Sequence, residues 1–390
     1  MRPRPAAIAV AAAALLYMAV AYGTGMDRLA AIGDAQPGSV PAPFRAEAHV
    51  VRANELLQRR QYQTAAAEAE AALRSMPLDY RTTGLVGVTR YFQGKTLEAN
   101  DAFTVSERIG WRDTYTQAYW LEVAQRSGDA TKAAERVDAL LRANPSSPIV
   151  AASLTAIEAD PAIRVALAER MRRKPGWINH YAASAAEVTG PQFTNRLDVV
   201  TRAAAMGARA QCIDMRDAVA SLLYRQNRPA EARGLWNVTC GNGREPAVGN
   251  GSFAAPIPEY GTAFDWIMPG HGGVQSQIQG QALVVDNRTS VAEIAASQTV
   301  LLPPGPVRLQ WRANAARDDA DLGATVALVC PDGLAVELRA ARSGAGGLYT
   351  AAGTISPRCP QQVLSVMALP GAGRTTIDDI AVAGPPTPAP

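Results

Sequence analysis

Four cysteines are the residues of this chain whose type and spacing most directly predict chemistry. Cys212 and Cys240 form one local pair, and Cys330 and Cys359 form a second. Three pairings are possible, and this one keeps each disulfide inside a single predicted domain. Four reduced, buried thiols are the alternative. Because the chain has no Cys-x-x-Cys motif and no Cys/His cluster, we do not expect a zinc site.

Acidic side chains offer a second kind of chemistry. Asp318, Asp319 and Asp321 have the residue type of the carboxylate pair that cleaves glycosidic bonds. They lie between two predicted strands, however, so a charged loop is the favoured interpretation.

The histidines and the glycine-rich segments predict no catalytic site. A metal-ligating neighbour three or four residues away is missing for His49, His180 and His271. The sequence also lacks a Gly-x-Ser-x-Gly motif and a phosphate-binding glycine loop. We therefore predict that the chain is not an enzyme.

The charge balance argues against one class of partner. The 390 residues include 38 basic and 35 acidic side chains, which gives a net charge of +3. A nucleic-acid-binding protein would show a basic face with interleaved aromatic side chains. No nucleic-acid partner is therefore expected.

The N-terminal residues 1–25 predict a membrane anchor or a signal segment. Residues 6–22 carry no charge and follow Arg2 and Arg4, which is typical of a single inner-membrane span with a cytoplasmic N-terminus. The bulk of the chain would then be periplasmic. The small residues of Ala19-Val20-Ala21 leave open a cleaved signal peptide and secretion to the periplasm.

A 34-residue period begins at residue 46 and recurs at residues 80 and 114. One position of each copy holds the same small residue, namely Ala65, Ala99 and Ala133. Gly94 and Gly128 occupy the predicted turn between two short helices in the second and third copies, and Arg60 occupies it in the first.

This pattern resembles the tetratricopeptide repeat, in which small residues let two helices pack closely and a proline ends the second helix. Pro77 and Pro145 hold that position in the first and third copies. The second copy departs from the family pattern, because Trp111 replaces the proline and Ser106 is polar.

The helical pattern continues beyond these copies, so we expect a stacked helical array over residues 44–240, preceded by a linker at residues 26–43. Such arrays commonly hold peptide segments or helices, so a protein partner is expected. Aromatic residues concentrate in the second and third copies, where core packing is the favoured role for Tyr91, Phe92, Trp111, Tyr115, Tyr119 and Trp120.

Residues 241–249, inside a glycine-rich stretch, predict a second linker. The hydrophobic period then changes to two, as where Leu309 and Trp311 alternate with polar residues. Several short segments of this kind, separated by turn residues, predict an antiparallel β-sandwich over residues 250–384. Residues 385–390 are predicted to be a disordered tail.

The ends of this region resemble the galactose-binding-like jelly roll of carbohydrate-binding modules. The matching segments are Asn250-Gly251-Ser252-Phe253, Phe264-Asp265-Trp266 and Ile377-Asp378-Asp379-Ile380-Ala381-Val382. The resemblance implies that the first and last strands pair, and that an acidic residue of each binds a structural calcium. Asp379 is in place, but Ala254 stands where the opening strand has its acid. No other cofactor is expected.

A sugar-binding face needs exposed aromatic rings beside polar groups. Trp311 alternates in phase with core residues, and Trp266 follows Phe264, so both tryptophans are predicted to be buried. Tyr260 and Tyr349, each near a glycine in a predicted loop, are then the candidate glycan-binding residues. Polysaccharide is accordingly a candidate partner.

The predicted fold class is multidomain α plus β, with an N-terminal membrane helix, a tetratricopeptide-like α-solenoid and a C-terminal antiparallel jelly-roll sandwich. The predicted function is a non-enzymatic, membrane-anchored periplasmic scaffold that binds protein through the repeats and glycan through the sandwich. The domain arrangement resembles accessory proteins of surface-polysaccharide assembly or export. The alternatives are a polysaccharide-acting enzyme with acidic loop residues and a pure protein-assembly factor.

Overall fold

The computed structural model describes residues 5–241, 246–269, 273–315, 322–330, 332–342, 347–371 and 373–383. The chain divides into two compact units, residues 1–170 and residues 171–390. Helices form the first unit and begin the second, and antiparallel strands complete the second. This order confirms the predicted α plus β fold class. The predicted linker at 241–249 falls within the second unit and stays a prediction.

The first unit consists of a long N-terminal helix followed by shorter ones. The long helix is α1 (Pro5–Ile32), and the 3₁₀ turns Pro37–Ser39 and Ala42–Phe44 follow it. The shorter helices are α2 (Ala46–Gln58), α3 (Tyr62–Ser75), α4 (Tyr80–Phe92), α5 (Thr96–Ile109), α6 (Thr114–Arg126), α7 (Ala130–Ala143), α8 (Pro148–Glu158) and α9 (Pro161–Met171).

The helices α2 to α7 form three hairpins at the predicted 34-residue spacing. Their first helices begin at residues 46, 80 and 114, and their second helices begin at residues 62, 96 and 130. Small side chains in these helices are fully buried, among them Ala53, Ala65, Ala69, Ala72 and Ala99. Because small side chains let helix axes approach closely, their recurrence accounts for the regular stacking.

The turn inside each hairpin places one residue in the left-handed region of backbone conformation. Arg60 has a φ of 60°, Gly94 a φ of 77° and Gly128 a φ of 70°. The predicted equivalence of these three positions is thus confirmed. Glycine adopts this conformation without a steric penalty. The Cβ of Arg60 crowds the backbone and makes the same conformation less favourable by about 1 kcal/mol of free energy.

In the second hairpin, Ser106 and Trp111 depart from the repeat pattern, and each makes a specific contact with a neighbouring helix. The buried hydroxyl of Ser106 donates a hydrogen bond to the carbonyl of Tyr80 at 2.9 Å and lies 2.9 Å from the hydroxyl of Thr116. Trp111, in the place of the proline, has the guanidinium of Arg136 over its ring, 4.4 Å from the centroid. Neighbouring helices therefore supply a partner for each departure from the family pattern.

Two aspartates cap the first helices of the second and third hairpins at equivalent positions. Burial raises the pKa of Asp79, but its hydrogen bonds to Arg81 and the charge of that arginine outweigh burial, so the pKa lies below its ordinary value. Burial raises the pKa of Asp113 to about 6, although its carboxylate accepts a 2.7 Å hydrogen bond from the Thr116 backbone N–H. Gly84 makes room for Asp113, because a Cβ there would lie 2.1 Å from its Oδ2.

Helix α1 has an exposed part and a docked part. Residues 8–22 are exposed throughout, and the segment Ile8–Ile32 is long and apolar enough to cross a membrane. Further along, the buried carboxylate of Asp27 accepts hydrogen bonds from the backbone N–H groups of Glu47 and Ala48, at 2.9 and 2.8 Å. A helix cannot satisfy the N–H groups of its own first turn, so Asp27 caps α2 from outside.

The second unit begins with the helices α10 (Ile178–Ala183), α11 (Gly190–Ala205), α12 (Cys212–Ala220) and α13 (Pro229–Thr239). A 3₁₀ turn, Ser184–Glu187, follows α10, and a π-helical turn, Ser221–Arg225, follows α12. The predicted disulfide between Cys212 and Cys240 is confirmed, and it joins the start of α12 to the end of α13. The ring of Trp236 in α13 packs beside Phe264, with centroids 5.9 Å apart.

The strands of the second unit form two antiparallel sheets. They are β1 (Val274–Gln279), β2 (Ala282–Asn287), β3 (Glu293–Val300), β4 (Gly305–Ala315), β5 (Ala324–Val329), β6 (Ala335–Val336), β7 (Arg339–Arg342), β8 (Leu348–Ile355), β9 (Gln362–Ala368) and β10 (Thr375–Ala383). One sheet has the order β1-β2-β10-β4-β8-β7, and the other has the order β3-β9-β5-β6.

The core of the sandwich lies between these sheets. Trp266 and Trp311 are 2% and 1% exposed, which confirms that both tryptophans are core residues. The predicted disulfide between Cys330 and Cys359 is also confirmed, and it joins the end of β5 to the turn before β9. Both predicted cysteine pairs are therefore bonded.

The opening of the sandwich differs from the prediction of a first strand. Residues 250–253 form a turn, and Asn250 and Phe253 have positive φ angles. The backbone N–H of Ile380 in β10 donates a 2.9 Å hydrogen bond to the carbonyl of Gly251. The two ends of the region therefore meet as expected, but the opening backbone is too tightly curled to extend the sheet.

We expect Arg60→Gly to raise the free energy of unfolding of the first unit by about 0.5–1 kcal/mol, because glycine removes the steric penalty at φ 60°. Arg59→Gly is the matched control, since Arg59 has a φ of −81° and gains nothing from glycine. That control should not raise stability, because glycine there only adds conformational freedom to the unfolded chain. Urea unfolding of both variants measures the difference, and a loss of stability in Arg60→Gly would contradict the explanation.

The two capping aspartates predict opposite pH dependences. The raised pKa of Asp113 favours its protonated form in the folded chain, so its contribution is greatest below pH 4 and is lost as the pH rises towards 6. Asp113→Asn should therefore be the more stable protein at pH 8, by at most about 3 kcal/mol. The lowered pKa of Asp79 contributes stability above pH 4, which disappears on acidification.

Asp79→Asn is accordingly the matched comparison, and it should be less stable than the parent at pH 8. Urea unfolding at several pH values between 4 and 8 measures both differences. If the two variants shift stability in the same direction at pH 8, the opposite environments of these aspartates are not the cause.

Candidate functional site

One of the two candidate glycan-binding residues lies within the sandwich. Tyr349 is in β8 directly opposite Trp311 of β4, and their rings stack with centroids 6.0 Å apart and planes at 16°. The prediction of a loop at Tyr349 is therefore wrong. The alternation of β8 turns this side chain towards the core, where it is half-buried.

The other candidate is accessible. Tyr260 is 61% exposed in a turn, and the carboxylate of Asp265 organises the following residues by accepting hydrogen bonds from the Thr262 N–H and hydroxyl at 2.7 and 2.8 Å. In the described part of the chain, no hydrogen bond or ring contact joins Tyr260 to Tyr349. The structure thus does not bring the two tyrosines into one site.

Asp379, the candidate calcium ligand, lies at a bulge of β10 and has a φ of 52°. Its carboxylate accepts a 3.0 Å hydrogen bond from Nε of Arg312. Burial, followed by the charge of Asp379, raises the pKa of neighbouring Asp378. No group of three or more His, Cys, Asp or Glu side chains in the described ranges is arranged to hold a metal. Because a guanidinium repels a cation, these residues do not fit a calcium site.

His49 and His180, the two histidines within the described ranges, lie in different helices. His49 pairs with Glu68, with 2.6 Å between Nδ1 and Oε2, and His180 is exposed in α10. The other candidate catalytic residues from the sequence lie outside the described ranges, namely His271, Asp318, Asp319 and Asp321. The alternative of an enzyme with acidic loop residues therefore stays a prediction.

A groove of about 810 Å³ lies beside the disulfide Cys330–Cys359, and we call it the disulfide groove. Its walls are the β5–β6 hairpin on one side and β8 with its following turn on the other. Gly353 of β8 lets the walls approach, since a Cβ there would lie 2.6 Å from the carbonyl oxygen of Glu337. The disulfide then holds the hairpin against the turn.

The disulfide groove is lined mainly by groups that form hydrogen bonds. Its polar side chains include carboxylates, hydroxyls and a guanidinium, from Asp332, Glu337, Thr354, Ser356 and Arg358. Carboxylates accept hydrogen bonds from sugar hydroxyls and a guanidinium donates them, so the groove has the chemistry to bind a glycan. Sequence reasoning missed it because the walls come together only through the sheet order. The second cysteine pair and the glycine inside β8 were the available signals.

The aromatic residues of the helical hairpins divide into two groups. Tyr91, Tyr115, Tyr119 and Trp120 pack against the hydrophobic core of the first unit, as favoured from the sequence. Phe92 and Trp111 are instead 51% and 48% exposed.

Phe92 forms the centre of a second candidate surface. Its ring stacks on Tyr62 with centroids 4.9 Å apart and planes at 11°. The two rings border a shallow pocket of about 400 Å³ that also includes Gln61, Gln63 and Gln93. An aromatic pair beside side-chain amides can bind a peptide through apolar contact and hydrogen bonds.

Comparisons with solved structures find a likeness over part of this chain. No family model matches the chain, and no curated protein matches it. A solved structure described as "CBM4 structure and function" is similar to this chain at 12% sequence identity, with a TM-score of 0.22. The match covers 35% of this chain and 98% of that chain.

Proposed function

We propose that this chain is a non-enzymatic scaffold anchored in the inner membrane, with its helical hairpins and β-sandwich in the periplasm. The observation that carries this proposal is the construction of α1. Residues 8–22 of α1 are exposed, and they belong to the apolar segment Ile8–Ile32, which is long enough to cross a membrane. Its docked part is fastened to the first hairpin through the buried carboxylate of Asp27.

Two further features support an uncleaved anchor and an oxidising compartment. Helix α1 continues without a break through residues 19–21, so the small residues of the alternative cleavage motif lie inside a helix. Both cysteine pairs are bonded, as is typical of exported proteins. Arg2 and Arg4 precede the span in the sequence and favour a cytoplasmic N-terminus.

In this proposal the hairpins hold a protein partner, in the manner of tetratricopeptide-like arrays. The exposed Tyr62–Phe92 pair supports this role. Rigid aromatic side chains lose little conformational entropy on binding and are enriched at the centres of protein interfaces. The neighbouring glutamine amides supply hydrogen bonds that fix the orientation of a bound backbone.

The sandwich, in turn, contacts glycan in the disulfide groove during assembly or export of surface polysaccharide. Two carboxylates and one guanidinium line the groove, which favours a neutral glycan over an acidic one. Aromatic side chains are missing among the described lining residues. Recognition would therefore depend on hydrogen bonds to sugar hydroxyl groups rather than on stacking of a sugar ring against an aromatic side chain.

Titration calorimetry of the full chain in nanodiscs with neutral and acidic polysaccharides tests the glycan proposal. We expect Arg358→Gln and Glu337→Gln each to weaken binding of the neutral glycan about tenfold, because each loses a charge-assisted hydrogen bond. Arg288→Gln is the matched control, since Arg288 pairs with Asp286 and does not line the groove. Tyr260→Ala, tested alongside, should leave binding unchanged.

Four outcomes would contradict this assignment. Equal effects of Arg358→Gln and Arg288→Gln would exclude the disulfide groove, and a loss confined to Tyr260→Ala would move the site to that tyrosine. Release of reducing ends from the polysaccharide would favour the enzyme alternative. The absence of any binding would favour a pure protein-assembly factor.

Cross-linking in membranes followed by quantitative mass spectrometry tests the protein-binding role. We expect Phe92→Ala to reduce recovery of a membrane partner at least fivefold, a loss of about 1 kcal/mol, because it removes the exposed half of the aromatic pair. Tyr224→Ala is the control, since Tyr224 is 61% exposed elsewhere in the chain. Equal recovery with both variants would exclude the Tyr62–Phe92 surface as the binding site.

A further inference from the structure

The direction in which α1 leaves the first unit can be read from two contacts. Asp27 binds the first turn of α2. One turn earlier, Gly23 lies against Phe44, since a Cβ there would be 2.1 Å from the ring, and Phe44 precedes α2 in the chain. Towards its own N-terminus, α1 therefore runs past the N-terminal end of α2. The exposed residues 8–22 continue beyond that end.

The loops that join successive hairpins lie at this same end. Nη2 of Arg81, at the start of α4, is 2.8 Å from Oε1 of Glu47 at the start of α2. Gly110, in the loop before α6, lies against the ring of Tyr80, 3.2 Å from where a Cβ would be. The starts of α2 and α4 and the α3–α4 and α5–α6 loops thus share one edge of the unit.

This edge exposes large apolar side chains. Leu78 in the α3–α4 loop is 83% exposed, and Ile109 and Trp111 beside the α5–α6 loop are 37% and 48% exposed. Trp111 is the one exposed residue among the six tryptophans of the chain, all of which lie in the described ranges. We call Leu78, Ile109 and Trp111 the loop edge.

Arginines flank the loop edge. Arg74 and Arg108 occupy the last turns of α3 and α5, and Arg112 lies in the α5–α6 loop. All three are exposed, and none of them forms an ion pair with a described residue. Exposed apolar side chains beside unpaired cations fit the boundary of a bilayer that carries anionic headgroups.

The ring of Trp111 is held in a defined orientation. The guanidinium of Arg136 covers one of its faces, 4.4 Å from the centroid. Arg136 is itself buried, and it donates hydrogen bonds to Glu107 at 2.5 Å and to Gln117 at 3.1 Å. An exposed indole fixed in this way suits the membrane–water interface, where tryptophan is enriched.

We propose that the loop edge lies in the headgroup region of the membrane that α1 crosses, with Trp111 inserted and the three flanking arginines on anionic phospholipid. The inference rests on the proposed membrane anchor and adds a second, peripheral contact to it. The hairpins then stand with the starts of α2 and α4 towards the bilayer. Their opposite ends, which carry Phe92, face away from it.

Quenching of tryptophan fluorescence by brominated lipids tests this proposal on the full chain in nanodiscs. In phosphatidylcholine mixed with phosphatidylglycerol, lipids brominated near the headgroup should quench the parent protein more than lipids brominated near the chain end. Trp111→Phe should lose most of that quenching. Trp120→Phe, the control in the neighbouring hairpin, should keep it, because Trp120 packs against the core.

A variant that regains quenching distinguishes loss of the membrane contact from misfolding of Trp111→Phe. Leu78→Trp in the Trp111→Phe chain should restore quenching, since residue 78 lies on the same edge. Replacing Arg74, Arg108 and Arg112 by Gln should weaken quenching where phosphatidylglycerol is present. Equal quenching of the parent and Trp111→Phe, no restoration by Leu78→Trp, or no dependence on phosphatidylglycerol would each overturn the proposal.

Alkaline carbonate extraction of cell membranes that contain the full chain separates this inference from the proposed anchor. A chain that is released by carbonate lacks the anchor, and both proposals then fail. A chain that stays in the membrane while Trp111 is not quenched keeps the anchor and loses only the loop-edge contact.

Discussion

The carboxylate of Asp27 satisfies two backbone N–H groups that α2 leaves unpaired at its start. Both hydrogen bonds lie at the positive end of the α2 dipole, in a buried position where water competes little. Because α1 is one continuous helix, a contact made at Asp27 fixes the direction of the residues before it. The orientation that we propose for the hairpins on the membrane therefore depends on this carboxylate together with the contact of Gly23 with Phe44.

The hairpins show how a repeated backbone tolerates different side chains at equivalent positions. Asp79 and Asp113 cap their helices from equivalent positions, yet their pKa values shift in opposite directions. Arg81 stabilises the charge of Asp79, whereas burial beneath Gly84 opposes the charge of Asp113. The backbone period thus comes from helix packing, and the electrostatics of each cap come from its local neighbours.

The sandwich places most of its large aromatic side chains inside, whereas Tyr260 is exposed in a turn before β1. Trp266 and Trp311 are in the core, and Tyr349 stacks on Trp311 rather than facing solvent. Glycan contact in this region would therefore depend on polar side chains at the disulfide groove. That groove exists because a glycine in β8 and a disulfide let β8 and the β5–β6 hairpin approach each other.

Local patterns in the sequence were enough to predict the repeated hairpins, the strands and both cysteine pairs. They succeed because helix packing repeats at a constant interval, strand burial alternates, and residues near each other in the chain pair most readily. The same patterns misplaced Tyr349 in a loop and residues 250–253 in a strand. Contacts between distant segments settled the Asp27 cap, the Arg312–Asp379 pair and the walls of the disulfide groove. Their partners are separated by tens of residues, and which of them meet depends on how whole helices and sheets pack, which no local periodicity encodes.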